Sequence, residues 1–76
     1  MDRLDMMIIG AEAEVAQKQG NLQKAIGRLV ELLQEKDIAD AAFYNAYVSQ
    51  AEDVRRIAND VATARRVHEA LEKVKQ

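Results

Sequence analysis

His68 is the only imidazole in this chain, Ser49 is the only serine, and cysteine is absent. Nucleophilic catalysis needs a hydroxyl or thiol within reach of a base. Ser49 lies nineteen residues before His68 in one helical stretch, too far along it to pair. Two carboxylates working as acid and base need a shared cleft. Glu12/Glu14 and Asp37/Asp40 read instead as surface and helix-capping residues. No glycine-rich loop follows a strand and opens a helix, as phosphate-binding motifs require. A lone histidine without cysteine does not make a zinc site, and no carboxylate-rich group is evident around His68. It reads as a satisfied histidine on a helix seam. The expectation is a protein without catalytic residues, cofactor, metal or small-molecule substrate.

Arg55-Arg56 and Arg65-Arg66 recur ten residues apart, a spacing that could place two phosphate contacts on one helix face. Glu52, Asp53, Asp60 and Glu69 interleave with them, so the stretch reads as a solvated, ion-paired face. With 11 basic and 13 acidic residues and a net charge of −2, there is no electrostatic case for nucleic acid or an anionic membrane. No apolar run approaches the ~20 residues of a membrane span. The start, Met1-Asp2-Arg3-Leu4-Asp5, is too acidic for a signal peptide, which makes the cytoplasm the expected location.

What the chain does carry is a seven-residue apolar repeat, twice. Ile8, Val15, Leu22 and Leu29 mark the first run. Phe43, Gln50, Ile57, Ala64 and Leu71, alternating with Tyr47, Val54, Val61 and His68, mark the second. Such spacing predicts helices packed as in a left-handed coiled coil. Between the runs lies Lys36-Asp37-Ile38-Ala39-Asp40. The expected fold is all-α, one domain over residues 1–76. Helix 1 covers about 2–35, the turn 36–40 and helix 2 about 40–75. Two helices of ~50 Å joined by a short turn favour an antiparallel hairpin. Asp2 or Asp5 suits the first N-terminal cap, and Asp37 or Asp40 the second. Glu52–Arg56 and Glu69–Lys73 have the favourable acid-before-base spacing on helix 2.

Apolar residues make up 49% and charged residues 32% of the 76 residues. A hairpin this short buries a modest core, and without disulfides or a metal the remaining route to stability is association. Met6 and Ile9 point away from the helix 1 seam, and Val30 and Leu32 widen it. With Phe43, Tyr44 and Tyr47 at the start of helix 2, these are the expected partner-binding residues. The partner is a helical protein or a second copy of the chain, which would complete a bundle. Gly10, Gly20 and Gly27 lie inside helix 1. They suggest close approach of a neighbouring backbone, or a soft helix.

Asp40-Ala41-Ala42-Phe43-Tyr44-Asn45-Ala46-Tyr47 resembles the start of the second helix in the small co-chaperones of type III secretion needle subunits. That resemblance implies a helical hairpin, a tetratricopeptide-like chaperone as partner, and a role in keeping a needle subunit soluble. Ala16-x-x-x-Gly20-Asn21-x-x-x-Ala25-Ile26-x-x-Leu29 is similar to the turn within one tetratricopeptide repeat. It implies a three-helix alternative, broken at Gly20-Asn21. A homodimeric four-helix bundle with a scaffolding or regulatory role, similar in architecture to the plasmid copy-number protein that binds paired RNA loops, is a further alternative.

Overall fold

A computed structural model describes residues 2–34 and 40–76 of the chain. Two helices make up the fold, α1 (Arg3–Leu33) and α2 (Ala41–Lys75), packed against each other along their length. The expected turn lies outside the described residues apart from Asp40. The molecule measures 56 × 14 × 13 Å with a radius of gyration of 17.3 Å, where a globular chain of this length would have roughly 11 Å. It is a rod one helix pair thick.

Each helix starts where an aspartate can hold its free amides. Asp2 is extended and its carboxylate accepts from the Asp5 backbone N–H at 2.8 Å. Asp40 is also extended and accepts from the Ala42 N–H at 3.0 Å. Each bond satisfies one of the amides that a helix start leaves open, and places negative charge at the positive end of the dipole. At the other end of α1 the Gln34 N–H donates to the carbonyls of Val30 and Glu31. Lys73 and Lys75 occupy the last turn of α2, where positive charge is favoured.

α1 runs unbroken through Gly20-Asn21, and no glycine has positive φ. The three-helix alternative is thereby excluded: the apolar repeat stays in phase from Val15 to Leu22, and one helix places both, half-buried, on the same seam. Glu12 meets His68 and Asp5 meets Lys75 across the pair, which sets the antiparallel register. Counted on by heptads from those two pairs, the register sets Ile8 about level with Leu71, Val15 with Ala64, Leu22 with Ile57, and Leu29 with Gln50. The alternate layers place Ala11 with His68, Lys18 with Val61, Ala25 with Val54, and Leu32 with Tyr47. Among the described residues the buried side chains are all seam residues: Ile8, Ala11, Ala25, Val61 and Ala64. Ala25, at 1% exposed, marks where the helices come closest to excluding water.

Two surface pairings differ from expectation. Arg56 faces Asp53, three residues back, at 3.7 Å and not Glu52. The Glu69–Lys73 pair is not formed among the described residues, because Lys73 and Glu69 extend into solvent and such pairs gain little there.

Val61 is buried and Val74 is 72% exposed on the same helix. Val61→Ala should lower stability by about 2 kcal/mol, from two lost methyl groups and the space they leave. That corresponds to a midpoint fall of roughly 10 °C for a domain of this size, read by thermal melting with circular dichroism. Val74→Ala should change the midpoint hardly at all. Equal effects of the two would mean that the seam is not the core.

Candidate functional site

Seam residues have their work inside the hairpin, so a functional surface must come from the rest. Three of the expected partner-binding residues, Met6, Ile9 and Val30, come together on one outward stripe of α1, on the side of the helix away from the seam. Met6 is 63% exposed, and Ile9 and Val30 are about half exposed. Between them Ala13, Ala16, Gly20, Gln23 and Gly27 continue the same three-and-four spacing. This spacing keeps one helix face in line. No charged residue falls on the stripe from Met6 to Val30, although a third of the chain is charged. It is a second heptad line, out of phase with the first.

The other expected residues are placed differently. Leu32 does not widen the seam from outside: it is half-buried at a seam position, level with Tyr47, because it falls seven residues after the fully buried Ala25. Phe43 is half-buried on the α2 seam. Tyr47 lies at the seam edge, while Tyr44 is 63% exposed on the flank. Ile26 and Leu33 lie on the corresponding flank of α1, also largely exposed. Each falls one place beyond a seam position, Ala25 and Leu32, and a two-helix seam has room for only two positions per heptad.

The glycines report on this face directly. A methyl group built at Gly10, Gly20 or Gly27 would meet nothing within 4 Å outside the helix itself. Among the described residues no neighbouring backbone approaches them, and no unusual backbone angle requires them. Each leaves the helix ~1 kcal/mol less stable than alanine would. Gly20 and Gly27 stand one heptad apart on the outward stripe.

A second constellation lies at the open end of the hairpin. His68 does not stand alone, contrary to the sequence expectation. Glu72, one turn on along α2, places Oε1 2.9 Å from His68 Nε2. Glu12 reaches across from α1 to 3.3 Å from the same nitrogen. The His68–Glu72 spacing of four residues was legible as a one-face pair. Glu12 was not, since only the hairpin register brings it there. Farther out, the Lys75 ammonium is paired with the Asp5 carboxylate, again across the two helices. The open end is therefore tied by charges at two levels.

No protein-family model, no curated protein and no solved structure matches this chain. Among the described residues, no helix is long and apolar enough to cross a membrane.

The Asp5 carboxylate accepts a hydrogen bond from Lys75 and attracts its charge, and these hold the ammonium above its ordinary value of 10.5. A raised folded value means that the pair contributes in full below the unfolded value and is lost as pH rises through the folded one. Lys75→Gln should therefore melt below the parent chain at pH 7 to 9. The gap should close as pH climbs past 10.5. A gap that persists unchanged into strong alkali would show that the stem of Lys75, not its charge, does the stabilising.

Proposed function

We propose that this chain is a non-enzymatic protein-interaction module that works in the cytoplasm by docking the outward face of α1 on a helical partner. The observation that supports this reading is the uncharged stripe from Met6 to Val30, with two glycines that nothing inside the chain explains. Small residues at heptad spacing let a second helix approach closely, and the flanking Met6, Ile9 and Val30 supply the apolar area to hold it. Ile26, Leu33 and Tyr44 extend that apolar surface around the turn end.

A co-chaperone role in type III secretion rests on the Asp40–Tyr47 resemblance, with a tetratricopeptide-like chaperone as the partner. The exposed Tyr44 and the seam-edge Tyr47 are then available to contact it. The charge pattern of α1 favours a second reading, self-association. Asp5, Glu12 and Glu14 make its first part acidic, and Lys18, Lys24 and Arg28 make its middle basic. Two copies of α1 laid antiparallel along their stripes would set acidic against basic segments and complete a four-helix bundle.

Two pairs of variants test the docking face. Gly20→Ala with Gly27→Ala should stabilise the isolated hairpin by up to about 1 kcal/mol per site and so raise its melting midpoint. The same change should weaken the complex, whether with a partner chaperone or with a second copy. Met6→Glu with Ile9→Glu should weaken it while sparing helicity. Sedimentation of the chain alone and with candidate partners reads the binding. Unchanged association in both pairs, with helicity retained, would remove α1 from the interface.

A further inference from the structure

We propose that Glu12, His68 and Glu72 form a binding site for one divalent transition ion of the zinc type, which clips α1 to α2 at the open end of the hairpin. The three donor atoms lie within 4.8 Å of one another. Two carboxylate oxygens converge on a single imidazole nitrogen, at 2.9 and 3.3 Å. As a hydrogen-bonding arrangement this is poorly matched. Nε2 carries at most one proton, and one N–H cannot donate well to two carboxylates at once. As a ligand set it is close to what an ion needs. A tetrahedral ion with bonds of about 2.0 to 2.2 Å spaces its ligands about 3.3 to 3.6 Å apart, so small side-chain shifts from these separations would admit one. With the proton on Nδ1, Nε2 is free to take the ion between the two carboxylates.

The donor chemistry selects the class of ion. An imidazole nitrogen with two carboxylates suits zinc or its neighbours, whereas magnesium and calcium prefer oxygen alone. His68 and Glu72, four apart, share one face of α2, the spacing by which helices present two ligands to one metal. Glu12 then makes the site an interhelical one. Other charges around it tolerate a cation. Glu69 lines the same groove with Arg65, and the nearby Lys75 ammonium is held by Asp5. Three protein ligands leave a fourth position for water or for a donor from a bound partner. Nothing in this proposal requires the α1 docking face.

The test is a titration of the full, metal-stripped chain with zinc chloride, read by calorimetry and by thermal melting. One ion per chain is expected. At a hundredfold excess over the dissociation constant the midpoint should rise by roughly 10 °C or more. Magnesium chloride should give no shift. His68→Gln should abolish the zinc shift, and Glu12→Gln and Glu72→Gln should each weaken binding by at least about 10-fold. Circular dichroism without metal checks that each variant is folded. If His68→Gln is not, the decision passes to Glu72→Gln, whose side chain is half exposed. No zinc shift in the parent chain overturns the proposal, and so does a shift that survives in a folded His68→Gln or Glu72→Gln chain. Wild-type affinity in Glu12→Gln overturns the clip, since the ion would then sit on α2 alone. One ion per two chains overturns the intrachain site.

Discussion

Two helices share one seam, and each keeps most of its circumference in water. Every property of this hairpin follows from that limit. The pair can bury only two positions per heptad, and here the most deeply buried of them are small: Ala11, Ala25 and Ala64 beside Ile8 and Val61. Small seam residues draw the helices together but bring little apolar area each, at ~25 cal/mol per Å². The seam also admits Lys18, Gln50 and His68. Polar residues at such positions cost stability and in return penalise every register that would bury them without a partner. For His68 the register supplies partners, Glu12 and Glu72. The alignment of the two helices is therefore set by charge at one end and by shape along the rest.

How much of this could be read beforehand differs from residue to residue. The seam of α2 was legible because Phe43 to Leu71 alternates three and four without a slip, and burial follows that pattern except at Tyr47, which is 37% exposed. The continuity of α1 through Gly20-Asn21 was legible for the same reason: phase is kept across the pair. The half-buried place of Leu32 was hard to read because a run such as Leu29-Val30-Glu31-Leu32-Leu33 is apolar on several sides. Only the partner helix decides which of those residues it covers. Glu12 was invisible as a site residue. Its place beside His68 depends on the register between helices, and a pattern within one helix carries no information about that. The glycines were legible as an anomaly but not as an explanation, since their meaning depends on what lies beyond their Cα atoms.

Stability is also distributed unevenly along the rod. Four of the five buried residues, Ile8, Ala11, Val61 and Ala64, lie in the half that holds the free ends. The two charged ties, Asp5–Lys75 and the His68 cluster, lie in that half as well. The half near the turn has Ala25 and then half-buried layers, with Leu29 set against Gln50 and Leu32 against Tyr47. Regions with few buried contacts open at lower free energy than the rest of a fold. The turn half is thus the softer one by construction.

Uncovered large side chains lie in both halves: Ile26, Val30, Leu33, Tyr44 and Tyr47 toward the turn, and Met6, Met7, Ile9, Val67 and Val74 toward the open end. The outward glycines lie toward the softer half. Gly20 and Gly27 fall in the middle and second half of α1, and they reduce helix stability where no intrachain contact offsets the loss. A hairpin selected only to be stable would place alanine at both and close its seam toward the turn with larger residues. This one concentrates burial at the open end, packs the turn half more loosely, and keeps one stripe of α1 free of charge along both. A partner helix docking along the stripe gains area from residues already exposed and, toward the turn, meets a surface that can still adjust.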